Sequence, residues 1–123
     1  MLVTRFTELI GCTIPIRQAG MGALANKQLA AAVANAGGQG MLSWGGMPAD
    51  KLADTLDDLG KQTTGVFGVY FLIPGFEGFE EEAEVRECVR VAAARAKVID
   101  FFYTDPVPGL VEPVHHFGAL ACW

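Results

Sequence analysis

The sequence predicts an α/β fold of parallel strands joined by helices. Two observations carry the prediction. Short apolar or β-branched runs alternate, from one end to the other, with longer segments whose apolar residues recur at helical spacing. A Gly, Pro or Asn stands at most of the junctions between them. Strands that are each followed by a helix cannot pair as an antiparallel meander; right-handed crossovers lay them side by side in a parallel sheet with the helices outside.

The units follow in order. Ile14-Pro15-Ile16-Arg17-Gln18-Ala19 is a first strand that stops at Gly20, and Asn26 stands at the N-cap of a helix with Leu29, Val33 and Ala36 on one face and Gly37-Gly38 as its stop. Met41-Leu42-Ser43 is the second strand, followed by a helix that Pro48 starts and Gly60 ends, with Leu52, Leu56 and Leu59 in line. The third strand spans Val66 to Ile73, rich in β-branched and aromatic residues, and the segment from Glu80 to Ala96 sets Val85, Val89, Ala92, Ala93 and Ala96 on one stripe. Val98 to Tyr103 is the fourth strand, before a Pro108-led helix that carries Leu110, Val111, Val114 and Phe117 and closes at Gly118.

Ala119 to Trp123 reads as the opening of a fifth strand, which gives about four and a half (β/α) units. A complete (β/α)₈ barrel takes about 250 residues, so residues 1–123 are expected to form one domain, a truncated half of a TIM barrel, without a second domain. The competing architecture is a small open sheet of the flavodoxin or Rossmann kind, for which this length suffices.

Composition narrows the function classes. A hydrophobic content of 51% with 19% charged residues is that of a folded globular chain. Only nine Lys and Arg and a net charge of −5 argue against a nucleic-acid partner. The longest uncharged apolar stretch, Val66 to Pro74, falls far short of the roughly 20 residues that span a bilayer, and Glu8 precludes an N-terminal signal core; a cytoplasmic protein is expected. Cys12, Cys88 and Cys122 are odd in number and widely spaced, which predicts neither disulfides nor a metal site.

The loop after the first strand, Gly20-Met21-Gly22-Ala23-Leu24-Ala25, matches the G-x-G-x-x-A dinucleotide fingerprint. That use needs an acid at the end of the second strand to hold the ribose, and Leu42-Ser43-Trp44-Gly45-Gly46 offers none. Two readings remain open: close approach of glycine backbone to a flat ring, and a tight strand-to-helix turn without a ligand.

Several segments together resemble the nitronate monooxygenase (2-nitropropane dioxygenase) family of FMN-dependent barrels. They are Thr4-Arg5-Phe6-Thr7, Pro15-Ile16, Gln18-Ala19-Gly20-Met21-Gly22, Leu29 to Gly38, Phe67-Gly68-Val69 and Asp105-Pro106. The same barrel group includes FMN-dependent enoyl reductases and NADH:quinone reductases, and these segments do not separate them. The resemblance implies that Gly20, Met21 and Gly22 present backbone to the FMN ring and that Tyr70 stands where the family has a flavin-contacting Asn. As a Tyr it either contacts the ring or fills its place. Gln39 replaces an aliphatic residue and is read as a change within a loop.

The resemblance also implies FMN as cofactor, an alkyl nitronate and dioxygen as reactants, and a carbonyl compound and nitrite as products. It puts the catalytic His and the phosphate-binding loops beyond Trp123, so the isolated chain is expected to lack turnover, and a homo-oligomer or a complementing C-terminal half is expected to cover its open edge. Among the residues present, Trp44 and Asp105 are candidates for a substrate pocket. Core packing and a helix-entry turn are their plainer roles. His115 and His116 fall on an outer helix and are set aside. The acidic cluster Glu77, Glu80, Glu81, Glu82, Glu84 and Glu87 reads as a solvated helix face without metal spacing.

Overall fold

The computed structural model describes residues 2–73 and 79–123, apart from the side chains of residues 79–82. Four strands, β1 (Gly40–Ser43), β2 (Phe67–Leu72), β3 (Val98–Phe102) and β4 (Leu120–Cys122), form one parallel sheet in the order β1-β2-β3-β4. The crossovers are α3 (Ala49–Gln62), α4 (Phe79–Ala93) and α5 (Pro108–His116), with α2 (Lys27–Asn35) before β1. Sequential neighbours with no reversal of order are the arrangement of a barrel wall and leave no topological switch point, which removes the Rossmann-type alternative.

The predicted first strand is reduced to a single parallel bridge, Arg17 with Gln39. Pro15 has no N–H to give a ladder. Where the next rung would stand, the Gln18 side chain takes over: its amide donates to the Met41 carbonyl at 2.9 Å and accepts from the Met41 N–H at 3.1 Å.

Helix α2 is capped at Asn26, whose side chain accepts from the Leu29 N–H at 3.0 Å. Its buried stripe is Ala30, Ala31 and Ala34, one position out of phase with the expected Leu29, Val33 and Ala36. Close approach selects the small residues. A Cβ on Gly40 would come within 2.1 Å of the Ala30 carbonyl oxygen, and one on Gly65 within 2.4 Å of that of Ala34. Gly60 lies inside α3 and Thr63 caps it, so the helix runs past the expected stop. Beyond β3 the chain turns at Tyr103, which has φ +65° and leaves the strand one residue before its expected end.

A further helix, α1 (Arg5–Ile10), precedes all of this. A capping box of Thr4 with Thr7 starts it, and Gly11 at φ 88° stops it in the left-handed region. The box uses Thr at its third helical position in place of the usual Glu or Gln, so the helix was not legible in the sequence.

Side chains alternate across the sheet. Leu42, Val69, Phe71, Ile99 and Phe101 face α2–α5 and form the main core with Leu52, Leu56, Leu59, Val89 and Leu110. On the other face, Val98 packs with Ile10 and Cys12, and α1 covers the lower part of the sheet. Above that cover, one register row across all four strands is polar or partly polar: Ser43, Tyr70, Asp100 and Cys122.

Candidate ring-binding cleft

The ends of β1 and β2 open into a cleft of about 700 Å³, within the ~300–1,000 Å³ of small-molecule sites. Its walls come from the loop of Gly20, Gly22, Ala23 and Ala25, the start of α2, the Ser43–Met47 turn, Thr55, Tyr70 and Leu72. Backbone bonds fix the walls to each other: the Ser43 N–H donates to the Ala25 carbonyl at 2.8 Å, and the Trp44 N–H to the Tyr70 carbonyl at 2.9 Å. Trp44 is locked as well. Its indole N–H donates to the Met47 carbonyl at 2.7 Å and its ring lies 5.2 Å from that of Phe71.

Three glycines present bare backbone to this space. Gly22, Gly45 and Gly46 have φ of 55°, 59° and 74°, the region where a side chain is strained, and a Cβ on any of them would meet no atom of the described residues within 4 Å. The cleft walls therefore fit a flat ring. Gly20 departs from this pattern: a Cβ there would come within 2.2 Å of the Tyr70 ring, so the aromatic face of Tyr70 already covers it. The fit is good at Gly22 and the Gly45-Gly46 turn and fails at Gly20.

Of the residues singled out in the sequence, the structure brings Gly20, Gly22, Trp44 and Tyr70 to this cleft. Met21 lies in the same loop but outside the cleft lining, 43% exposed. Asp105 is exposed and also outside the lining. His115 and His116 are exposed on α5. Glu84 and Glu87 are exposed on α4, whereas Glu77 and the side chains of Glu80, Glu81 and Glu82 lie outside the described residues. No group of three metal-ligating side chains occurs among the described residues.

Three residues of the inner face escaped the sequence reading. Arg17 pairs with Asp100 across the sheet face, and its other guanidinium nitrogen lies 3.5 Å from the Cys122 Sγ. The signal for this was present: Asp100 interrupts the apolar run Val98 to Tyr103, and a charge inside a strand asks for a partner on the same face. Burial pushes the Asp100 carboxyl above the ordinary carboxylate range, and the Arg17 guanidinium and Cys122 only partly reverse the shift. Burial, reinforced by Asp100 and Tyr103, likewise raises the Tyr70 phenol.

A carboxyl raised on folding binds its proton more tightly in the folded than in the unfolded state. Its contribution to stability is full below the unfolded value of about 3.9 and is lost as pH rises through the folded value. Denaturant titrations across that window are expected to show this loss, and the Asp100→Asn chain is expected to lack it. An identical pH profile for the two chains would refute the assignment.

Gln39 corrects the expectation of a loop. It is fully buried beside β1, and its Oε1 has no hydrogen-bond partner among the described residues, while its amide nitrogen reaches only the Met41 sulfur at 3.4 Å. An unpaired buried carbonyl costs about 1–3 kcal/mol. Gln39→Leu is therefore expected to stabilise the chain by about 1 kcal/mol in urea unfolding; a loss of stability would show that the amide is satisfied in solution.

Comparison with known proteins agrees with the geometry. A family model for nitronate monooxygenase matches residues 3–117. A Mycobacterium tuberculosis protein, (3aS,4S,5R,7aS)-5-hydroxy-7a-methyl-1-oxo-octahydro-1H-indene-4-carboxyl-CoA dehydrogenase, is 41% identical over 120 residues, 97% of this chain and 32% of the relative. A probable nitronate monooxygenase of Staphylococcus aureus is 32% identical over 75 residues, 61% of this chain and 21% of the relative. Among solved structures, FabK from Thermotoga maritima superposes with a TM-score of 0.80 at 26% identity, covering 98% of this chain and 37% of that one. The nitroalkane oxidase of Streptomyces ansochromogenes gives 0.75 at 25% identity, covering 96% and 41%. The chain thus spans about a third of the length of the first of these relatives. On the extent of the family match, with the sequential parallel sheet and the cleft at its strand ends, the chain belongs to the nitronate monooxygenase family of flavin-dependent oxidoreductases.

Proposed function

We propose that this chain supplies the ring-facing wall of an FMN site in a cytoplasmic oxidoreductase that converts alkyl nitronates and dioxygen to carbonyl compounds and nitrite. The observation that carries the reading is the cleft at the C-terminal ends of parallel strands, walled by the open backbones of Gly22, Gly45 and Gly46. When bound, FMN supplies the electron transfer. The chain's own share is to position: Gly22 and the Gly45-Gly46 turn admit a ring without side-chain collision, and Trp44 closes one wall. On the inner row, Tyr70 and the Arg17-paired Asp100 are the groups able to hold a proton beside the cleft.

No helix among the described residues is long and apolar enough to cross a membrane. Among the described residues no strand pairs the outer edge of β4, and a second copy or a C-terminal barrel half is the partner that would pair it.

A second reading, oxidation of a carboxyl-CoA substrate, is favoured by one observation: the CoA-ester dehydrogenase is similar over far more of the chain than the nitronate monooxygenase is, 97% against 61%. One experiment separates them. The 123-residue chain is expected to take up FMN, seen as quenching of flavin fluorescence. Nitrite release from propane-2-nitronate is expected once a C-terminal barrel half of the family is added. Reduction of the flavin by an acyl-CoA with no nitrite formed from the nitronate would establish the second reading, and absence of flavin uptake would sink both.

A further inference from the structure

We propose that Tyr70 is the specificity-determining residue of the cleft, competing with the incoming ring for the face of Gly20. The proposal deepens the flavin reading above and rests on it. Gly20 is the one glycine of the loop whose missing side chain is already matched by another group: its hypothetical Cβ falls 2.2, 2.5 and 2.7 Å from three carbons of the Tyr70 ring. Two aromatic rings cannot occupy one face of a peptide. A flat ligand that reaches Gly20 must turn Tyr70 out, and one that leaves Tyr70 in place is confined to the part of the cleft over Gly22 and the Gly45-Gly46 turn.

The structure leaves Tyr70 free to make that turn. It is half-buried at the mouth of the cleft, near the end of β2, and no hydrogen bond from its hydroxyl occurs among the described residues. Its backbone is fixed separately, by the ladder and by the Trp44 N–H, so rotation of the side chain does not loosen the wall. Packing of the ring against Gly20 is what holds it, and that contact is what a ligand must replace.

Two measurements test the proposal. The first is independent of flavin. Gly20→Ala is expected to lower the Tm in the natural background, because its new Cβ meets the ring, and to have little effect in the Tyr70→Asn background, where the ring is gone. The second is FMN titration of the full chain. Tyr70→Asn is expected to bind FMN at least about tenfold more tightly than the natural chain, and Tyr70→Phe, which keeps the ring and serves as the folding control, to bind as the natural chain does.

Additive effects of Gly20→Ala and Tyr70→Asn would overturn the packing on which the proposal stands. FMN bound equally or more weakly by Tyr70→Asn would overturn the competition while leaving the flavin reading intact. Failure of all three chains to bind FMN would overturn both. Tighter binding by Tyr70→Phe as well would assign the effect to the hydroxyl and overturn the role of the ring.

Discussion

Phe71→Ala is expected to lower the stability of this chain by about 3–5 kcal/mol, the range for removal of a fully buried aromatic side chain. Phe71 lies at the centre of the helix-facing core, fully buried, between Trp44 at 5.2 Å and Phe101 at 5.8 Å. Phe101 in turn stacks on Trp123 at 4.7 Å. The removed ring therefore leaves a void that no single neighbour can fill, because each is held in a row of its own. Chemical unfolding measures the loss. The same variant is expected to alter the fluorescence of the native state, since Trp44 loses the surface that orients it above the cleft. A loss below about 1 kcal/mol would mean that the core around β2 collapses readily and that the aromatic row is not rigid.

Gly40→Ala is expected to cost about 3 kcal/mol, at the upper end of the overpacking range. The obstacle is backbone: the added methyl would come within 2.1 Å of the Ala30 carbonyl oxygen and 2.8 Å of its carbon. A side chain can rotate aside, whereas α2 can yield only by shifting as a unit away from β1. That shift would also draw on the N-terminal end of α2, where Asn26 lines the cleft. Differential unfolding together with FMN titration checks the point: reduced stability and weakened binding are expected together, and an unchanged Tm would show that the close approach is relaxed in solution.

The legible parts of the fold were those set by local periodicity. The Leu52, Leu56 and Leu59 stripe of α3, the aromatic-rich strand β2 and the Pro108-led α5 stand where the pattern put them. What escaped was set by distance of approach rather than by residue class. Alanine carries no hydrophobic signal strong enough to outweigh Leu29 and Val33, yet Ala30, Ala31 and Ala34 form the buried face of α2 because only they allow contact with Gly40 and Gly65. The first strand misled for a related reason, since an apolar run containing Pro15 reads as a strand but can pair at only one residue.

The cleft was half legible. Glycines at strand ends mark it in one dimension, so Gly20 and Gly22 could be named, and Trp44 with them. Gly45 and Gly46 belong to the same wall from another unit, and the Arg17 bridge to Gln39 with the Ser43 to Ala25 backbone bond brings that unit against the first loop. The Arg17 to Asp100 pair joins residues 83 positions apart, which no local pattern encodes.

That pair bears on the order in which the molecule assembles. The segment carrying Gly20 is tied to the sheet edge by the Arg17 bridge to Gln39, by the Gln18 side-chain amide and by the Ala25 carbonyl, which accepts from the Ser43 N–H, while Arg17 reaches over the inner face to a strand formed from the far end of the chain. Contacts so distant in sequence form after local ones, because their loop must be closed first. The strand segment leading into the glycine loop therefore gains its last tie only when β3 is already in place. In hydrogen exchange, the amides of Gln18 and Gln39 should lose protection before those of Val69 and Ile99, which makes the ring-binding wall the last part to be built and the first to open.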